Sequence, residues 1–410
     1  MASMAEVLPS LRNDIEVMPS PAPDQPGLLF RDPYRYTEAV LIIPPVLVPA
    51  LSFFDGEKTA SELLAFLTRH IGHKVPDDVV DDLVKTLDTQ GFLDTPKFQA
   101  MREARHEEFR IASQRSPVHA GSAYAAEPQG LRSQLTEYMA SDSDGNAARE
   151  LIGIAAPHVS PAGGWKSYAS AYRRLTAMDG DKTFVILGTS HYGMPEKFGM
   201  TRKPFVTPLG TLNVATAMVD WIASRAGASV VMEDYCHSIE HSIEFQCVFL
   251  QHALGRDCRI LPILCGPFLE SLLTDKAPEA HDGNRRFFDA LGELAERESS
   301  RLFWVLGIDL AHIGKRYGDR QAARAEQGQM TEVRSKDHER LERICSGDRE
   351  GFLSLVTPEH DALRWCGYSP LYTFLKTVPA SRGNLLNYEQ WNIDEESVVS
   401  FTALEFYRKD

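Results

Sequence analysis

The sequence lacks the long apolar segments that membrane and exported proteins carry. No apolar run approaches the roughly 20 residues that a membrane-spanning helix needs, and the candidate AVLIIPPVLVPAL is interrupted by prolines. The N-terminal stretch MASMAEVLPSLRNDIE has no basic segment followed by an apolar one, so we expect no signal peptide. These absences predict a cytoplasmic protein that does not bind or cross a membrane.

The chain also lacks a block of lysines and arginines. It carries 43 Lys and Arg against 57 Asp and Glu, for a net charge of −14. An acidic protein does not attract polyanions through its overall field. We therefore expect no nucleic-acid partner.

Cysteines are few, and none form CxxC pairs. They are Cys236, Cys247, Cys258, Cys265, Cys345 and Cys366. In a large cytoplasmic chain such thiols stay reduced, so a cysteine with a special role is expected to be a ligand or a catalyst and not half of a disulfide.

What is present indicates a globular protein of more than one domain. The 410 residues are 43% hydrophobic and 24% charged, which is ordinary for a folded protein with a sizeable core. Shifts in composition predict a flexible lead-in over residues 1–28, a small domain over 29–98, a charged helical linker over 99–116 and a large domain over 117–410.

The small domain is predicted to contain two helices followed by a short strand. Thr59 and Glu62 have the spacing of a capping box before an apolar stripe. In PDDVVDDLVKTLDTQG, Pro76 suits a first helical turn and Gly91 suits the C-cap. This is a winged-helix-like α+β outline, and DGEKTASELLAFL…VPDDVVDDLVKTLDTQGFLD resembles PqqD-like peptide-recognition domains. The resemblance implies a peptide ligand, whereas the pattern alone fits a docking domain equally well.

In the large domain, strand and helix patterns alternate. The candidate strands are LIGIAA, FVILGTS, ASVVM, RILPILCG, LFWVLGIDL and SVVSFTALEFY, and the candidate helices are GWKSYASAYRRL, SIEFQCVFLQHAL, NRRFFDALGELAERE and SPLYTFLKTV. Such alternation predicts an α/β fold with a mostly parallel central sheet flanked by helices. Ligands bind such sheets at the carboxyl ends of the strands.

Polar side chains follow several of these strands at that edge. They are His158 after LIGIAA, His191 after FVILGTS, and Asp309 and His312 after LFWVLG. The segment DYCHSIEHSIEFQ adds His237, His241 and Glu244, and RWCGYSP adds Cys366. Imidazoles, carboxylates and a thiol at one edge are what a metal or acid/base site requires. Each residue taken alone fits a capping or packing role equally well.

In their order, these segments resemble the Memo family, also called AmmeMemoRadiSam system protein B, from Ser116 to the end. The matching pieces include IGIAAPHVSPAGGWKSYASAYRRL, FVILGTSHYG, EHSIEFQCVFLQ, ILPILCG, GIDLAHIG, CGYSPLYTFL and VVSFTALEF. The resemblance implies a fold like that of the class III extradiol dioxygenases, which use non-haem iron.

The resemblance also implies roles for particular residues. His158 and His191 match the family's metal histidines, and Cys366 matches the position of a third ligand. His241, Asp309 and His312 match polar residues of the same pocket.

This chain departs from the family after its first histidine. Where the family resembles APHAGYxYSG, it reads APHVSPAGG, so Ser160 and Pro161 replace an aromatic side chain. In DLAHIG, alanine and isoleucine also replace the family's usual residue types. These differences bear on the substrate and not on metal ligation.

The favoured hypothesis is a non-haem metal site that performs redox or oxygen chemistry on a small molecule or peptide. Fe(II) is the first candidate, and Zn(II) or Cu(I) would also suit two imidazoles and a thiolate. His312 would be a general acid/base, held by Asp309 and flanked by His241.

Other functions stay open. The chain could be a non-catalytic metal- or peptide-binding scaffold, or an accessory factor to a radical enzyme that modifies peptides, reached through the small domain. It could also be a metal-dependent hydrolase, or use Cys366 as a nucleophile.

Overall fold

The computed structural model describes residues 6–140, 150–175, 181–255 and 258–409. The chain divides into two units, Met1–Ile111 and Ala112–Asp410. Residues 1–5 of the predicted lead-in lie outside the described residues. The division falls inside the segment 99–116 that was expected to be a linker.

The first unit has a small antiparallel sheet followed by helices. Its strands, in the order β1-β2-β3, are β1 (Glu16–Pro19), β2 (Leu28–Arg31) and β3 (Val40–Ile43). Its helices are α1 (Ala60–Ile71), α2 (Asp78–Thr89) and α3 (Pro96–Ile111). The strand β3 lies at an edge of this sheet and ends just before Pro44 and Pro45, which cannot donate to a strand ladder.

Local signals set the ends of α1. Thr59 and Glu62 form the predicted capping box, in which the Thr59 side chain accepts from the Glu62 N–H and the Glu62 carboxylate accepts from the Thr59 N–H. Gly72 ends the helix at φ 83°, a conformation that favours glycine. The second helix begins at Asp78, so Pro76 lies two residues before it and not in its first turn.

Two segments of this unit differ from the sequence expectation. In the region expected to be a flexible lead-in, β1 pairs with β2 and Leu8 is buried in the core of the unit. The expected linker forms most of α3, whose Phe98 and Phe109 are buried. In both segments, burial of a few apolar side chains outweighs a mostly polar composition.

The second unit is built on a sheet of eleven strands among the described residues. The strands are β4 (Leu151–Ala156), β5 (Thr183–Thr189), β6 (Phe198–Met200), β7 (Phe205–Thr207), β8 (Gly210–Val214), β9 (Val230–Met232), β10 (Arg259–Cys265), β11 (Leu302–Gly307), β12 (His312–Gly314), β13 (Ser381–Asn392) and β14 (Ser397–Arg408). Each of the six predicted strand segments overlaps one of them, although β5 begins one residue before FVILGTS and β14 ends one residue after SVVSFTALEFY.

Helices cover the sheet. They are α4 (Pro128–Met139), α5 (Pro161–Tyr172), α6 (Thr216–Ala226), α7 (Cys236–Ile239), α8 (Glu244–Leu254), α9 (Leu269–Thr274), α10 (Asp282–Arg297), α11 (Gln329–Cys345), α12 (Arg349–Val356) and α13 (Tyr368–Thr377). The four predicted helices correspond to α5, α8, α10 and α13. Among the described residues, no helix has both the length and the apolar character to cross a bilayer.

The centre of the sheet is parallel and one side is antiparallel. Strands β4, β11, β5 and β10 lie side by side and run in one direction. Next to β4, the strand β14 runs the opposite way and pairs with β13 and β12, also antiparallel. The α/β fold with a large sheet between helices is therefore confirmed. Its four central strands are parallel, and beyond them β8 is parallel and β6 antiparallel to β10.

Two apolar cores lie on opposite faces of this sheet. In β5, Val185 and Leu187 belong to one core, and Phe184 and Ile186 belong to the other. Because successive side chains of a strand point to opposite faces, both faces must be covered. This explains why the central strands read as continuous apolar runs and not as alternating patterns.

A buried carboxylate links α11 to the antiparallel side of the sheet. Asp337 accepts hydrogen bonds from Trp365 Nε1 (2.8 Å), Tyr388 Oη (2.8 Å) and Ser400 Oγ (2.6 Å). Burial nevertheless dominates and raises the pKa of Asp337 from 3.8 to about 6. The folded protein therefore holds this proton more tightly than the unfolded chain does.

This shift predicts how stability depends on pH. As the pH falls from about 6 to about 4, protonation of Asp337 should stabilise the fold by up to about 3 kcal/mol, since one pKa unit is worth about 1.4 kcal/mol. Asp337→Asn should remove this part of the pH dependence, measured as the urea midpoint between pH 4 and pH 7. The exposed Asp289→Asn should keep the wild-type slope, and an unchanged slope in Asp337→Asn would contradict the assignment.

Candidate metal centre

Three predicted site residues lie at the same edge of the sheet, just beyond the carboxyl ends of parallel strands. His158 lies two residues beyond the end of β4, His191 two beyond β5, and Asp309 two beyond β11. The strands are in parallel register, with Gly307 opposite both Ala156 and Gly188. The shared edge that the sequence predicted is therefore present, and equal spacing from the strand ends brings the side chains together.

Three imidazoles form a compact group at this edge. One nitrogen from each of His158, His191 and His241 lies within 4.8 Å of the other two. The ring centres of His158 and His191 are 4.9 Å apart, and those of His191 and His241 are also 4.9 Å apart. His158 is buried, while the side chains of His191 and His241 are 28% and 27% exposed. The group is therefore reachable from solvent on one side.

His241 comes from a connection that packs closely across the strand ends. It precedes α8, and a Cβ added to Gly307 would lie 2.2 Å from the backbone oxygen of Ser242. Ser242 Oγ donates to the Thr189 carbonyl (2.7 Å), and Gln246 Nε2 donates to the Pro157 carbonyl (2.9 Å). The missing side chain of Gly307 thus allows the segment that carries His241 to sit directly on the sheet edge.

The His158 ring is held by backbone groups. Its Nδ1 lies 3.0 Å from the Gly307 carbonyl, which can only accept, so Nδ1 carries the hydrogen and Nε2 keeps its lone pair. The His158 N–H donates to Asp309 Oδ1 (3.0 Å). Burial, together with the nearby His191 and His241, lowers the pKa of His158 well below its ordinary value. The ring is therefore neutral near pH 7, as a metal ligand must be.

Glu240 orients the other two imidazoles, and sequence reasoning missed it. Its carboxylate lies 3.0 Å from His191 Nδ1 and 3.1 Å from His241 Nδ1, and the residue is only 2% exposed. Burial opposes its ionisation, but His191 and His241 hold the pKa of Glu240 well below its ordinary value. Against the same burial, Glu240 and Cys366 hold the pKa of His191 well above 6.5. Because i and i+1 residues do not share a helix face, no spacing rule flagged Glu240 beside His241.

Cys366, predicted as the third metal ligand, lies beside the imidazoles. Its Sγ is 3.3 Å from His158 Nε2, and its carbonyl accepts from Thr189 Oγ1 at 2.9 Å. Burial raises the pKa of the Cys366 thiol, although hydrogen bonding to His191 opposes this. Among the described residues, the group close enough to share one ion contains His241 and not Cys366. Cys366 nevertheless lies within reach of the same imidazoles, and its role as a metal ligand stays a prediction.

Asp309 and His312 reach the same region but are not bonded as expected. Asp309 Oδ1 accepts from the N–H groups of His158 and Val159, and its Oδ2 lies 3.6 Å from His158 Nε2. Burial raises the pKa of Asp309. His312 Nδ1 lies 2.9 Å from the Leu310 carbonyl and 3.1 Å from that of Arg364. Backbone carbonyls, and not Asp309, therefore orient the His312 ring, and burial lowers its pKa to about 4.

Two further polar residues of DYCHSIEHSIEFQ have other partners. Glu244 is buried and forms an ion pair with Arg115. It also accepts from the N–H groups of Val118 and His119. His237 lies 3.1 Å through Nε2 from the Gly199 carbonyl and is outside the imidazole group. Glu244 therefore anchors the segment 115–124, and His237 is a buried structural histidine.

The glycine contact predicts a test of the site's architecture. Gly307→Ala should push the segment with Ser242 away from the strand ends, because its Cβ would meet backbone and not a movable side chain. We expect a loss of stability above about 1 kcal/mol, as in other overpacked cores, and loss of metal binding. Gly292→Ala in α10 has open space around its Cβ and should be neutral or stabilising by up to about 1 kcal/mol. Urea unfolding measures the stability of each variant, and metal titration measures its metal binding. Equal stability and equal metal binding in the two variants would refute the close-contact explanation.

Comparison with known proteins agrees with this fold. The family model described as "Memo-like protein" matches residues 115–405. A MEMO1 family protein of Aquifex aeolicus is 25% identical over 381 residues, which cover 92% of this chain and 95% of the relative. One from Methanosarcina acetivorans is 27% identical and covers 71% of this chain and 98% of the relative. The MEMO1 family protein TTHA0924 of Thermus thermophilus is 27% identical, with 73% and 84% covered.

The coverage differs between the two units. The family match begins at residue 115, within the second unit, whereas the Aquifex alignment also extends into the first. The first unit is therefore not confined to this chain. By its match over residues 115–405, the chain belongs to the Memo family.

Proposed function

We propose that this chain binds one transition-metal ion through His158, His191 and His241 and uses it in redox or oxygen chemistry on a small molecule or peptide. The observation that carries the proposal is the approach of three imidazole nitrogens to within 4.8 Å of one another. Three imidazoles packed this closely at a sheet edge repel one another when protonated, whereas deprotonated rings can direct their lone pairs at one shared cation.

The donor set fits a metal of intermediate softness. Imidazole suits iron, zinc and copper, and a thiol beside the site adds affinity for Cu(I) or Zn(II). Fe(II) is the first candidate because three protein ligands leave coordination positions open for a substrate or for O₂. When bound, Fe(II) would supply one-electron chemistry that none of the side chains can perform.

The surrounding residues have separate tasks in this proposal. His312, with a pKa of about 4, is neutral near pH 7 and would accept a proton from a substrate as a general base. Asp309 fixes the backbone of His158 and Val159. Cys366 would hold its proton near pH 7 until a cation lowers the pKa of its thiol.

A metal-dependent hydrolase is the second candidate. The third imidazole favours it, because catalytic zinc sites also have three protein ligands and one coordination position left open for water. Oxygen consumption by the Fe(II)-loaded protein with candidate catechols or peptides would favour the redox function. Turnover of ester or amide substrates with Zn(II) and without O₂ would favour hydrolysis. Metal binding without either activity would favour an accessory role.

The peptide partner of the first unit is also a proposal. An open groove of about 660 Å³ along α1 is lined by apolar residues, two basic residues and one acidic residue, among them Leu64, Val75, Arg69, Lys74 and Asp77. This surface would suit an apolar peptide with acidic residues, such as a substrate of a radical enzyme that modifies peptides. Titration with such peptides should show saturable binding, and its absence would favour a docking role.

The metal site itself is tested by anaerobic purification and metal analysis. Wild type should carry, or take up from added Fe(II), about one ion per chain, and His158→Ala should lower the affinity at least about 10-fold because one of three ligands is lost. The control is His73→Ala, an exposed histidine in the first unit, which should bind as wild type does. If wild type and His158→Ala bind Fe(II), Zn(II) and Cu(I) equally weakly, the proposed function is wrong.

A further inference from the structure

We propose that Glu240 is a positioning residue that fixes the tautomer of two metal-binding imidazoles at once. In this role it holds a hydrogen on Nδ1 of His191 and of His241, so that Nε2 is the nitrogen that faces a metal. A neutral ring offers its Nε2 lone pair, and a protonated ring gives up its Nε2 hydrogen when the metal binds. The inference rests on the proposed metal site for its purpose, but the tautomers themselves can be measured without any metal.

The Glu240 carboxylate lies close to the Nδ1 atoms of both rings. Glu240 Oε1 lies 3.0 Å from His191 Nδ1 and 3.1 Å from His241 Nδ1, and Oε2 lies 3.2 Å from His191 Nδ1. An ionised carboxylate only accepts hydrogen bonds. Both Nδ1 atoms must therefore donate, because the other tautomer would turn a lone pair toward a buried negative charge.

The Glu240 carboxylate also accepts hydrogen bonds from backbone N–H groups. Glu240 Oε2 accepts from the His191 N–H (2.8 Å), and Oε1 accepts from the N–H groups of His241 (2.9 Å) and Ser242 (3.1 Å). One carboxylate thus fixes the main chain and the ring of residues from two elements, the end of β5 and the connection before α8. The rings of His191 and His241 consequently stack at an interplanar angle of 11°.

In all three imidazoles, Nδ1 lies next to an acceptor oxygen. His158 gives its Nδ1 hydrogen to the Gly307 carbonyl, Glu240 accepts from the His191 ring, and its Oε1 lies 3.1 Å from His241 Nδ1. A neutral carbonyl suffices for one ring, whereas the shared carboxylate adds a negative charge beside the group. That charge favours a cation over a water molecule or an anion, and acceptors behind ligating histidines are known to raise ligand basicity.

The first experiment is NMR of metal-free wild-type protein labelled with ¹⁵N-histidine. Long-range ¹H–¹⁵N couplings report which ring nitrogen carries the hydrogen, and loss of signals in His191→Asn and His241→Asn assigns them. We expect Nδ1–H for both rings. A ring with hydrogen on Nε2 and none on Nδ1, at either residue of the wild type, would overturn the inference without the need for a Glu240 variant.

The second experiment compares Glu240→Gln with Glu244→Gln. Glutamine offers one acceptor oxygen and turns an NH₂ group toward donors, so the rings of His191 and His241 should shift toward Nε2–H. Glu244 is an equally buried glutamate four residues away whose partners are Arg115, Val118, His119 and Tyr124. Its substitution lowers stability without removing an acceptor from the imidazole group.

Zinc titration against a chromophoric chelator supplies the second readout. Glu240→Gln should raise the Kd about 10-fold to 100-fold, the usual effect of losing such a partner, while Glu244→Gln stays within about 3-fold of wild type, less than such an effect. Equal Kd changes in the two folded variants, or unchanged tautomers in Glu240→Gln, would overturn the inference. If wild type binds no zinc, iron or copper, the proposed function fails, and the tautomers alone decide the role of Glu240.

Discussion

The parallel alignment of β4, β11, β5 and β10 is the constraint on which the rest of the large unit depends. Parallel strands in register end at one edge, and residues two positions beyond those ends become neighbours however far apart they lie in the chain. His158 and Asp309, separated by 151 positions, are joined by a hydrogen bond of 3.0 Å for this reason. The apolar cores on both faces stabilise the alignment, because a shift of register would expose one of them.

Close packing at that edge is the second constraint. Gly188 and Gly307 have no side chain where the connection before α8 crosses the sheet, and an added Cβ at either would come within 2.7 Å of that connection. The approach brings Glu240 and His241 to the strand ends. It also excludes water from one side of the imidazole group, so the polar atoms there need protein partners.

Burial makes those partners essential. Desolvation is the largest influence on the pKa of His158, Glu240 and Asp309, and only hydrogen bonds and opposite charges offset it. At Glu240, hydrogen bonds and opposite charges outweigh burial and keep the carboxylate ionised. At Asp309, burial outweighs them and raises the pKa. Glu240 and Asp309 lie at the same sheet edge, yet their pKa values shift in opposite directions, because only Glu240 contacts imidazole N–H groups.

Much of the site could be read from the sequence because strand ends are marked by local signals. His158, His191 and Asp309 each follow an apolar run, and the α/β alternation was sufficient to place those runs in one sheet. The short strands β6, β7 and β8 and the polar β13 carry too little apolar pattern to be recognised. The PqqD-like, winged-helix outline of the first unit rests on helix spacing alone, and its β1 lay in a proline-rich segment expected to be flexible.

Local sequence by itself determined the apolar strands β4, β5, β10, β11 and β14, the capped helix α1 and the identity of the chemical groups at the sheet edge, because these depend on neighbours in the chain. Only the tertiary structure decided that His241 joins His158 and His191 in one imidazole group, that Glu244 pairs with Arg115, and that the Glu240 carboxylate lies against the rings of both His191 and His241. These outcomes depend on distances of a few ångströms between segments far apart in sequence. Such distances are set by the packing of the connection before α8 against glycines at the strand ends, which no residue pattern records.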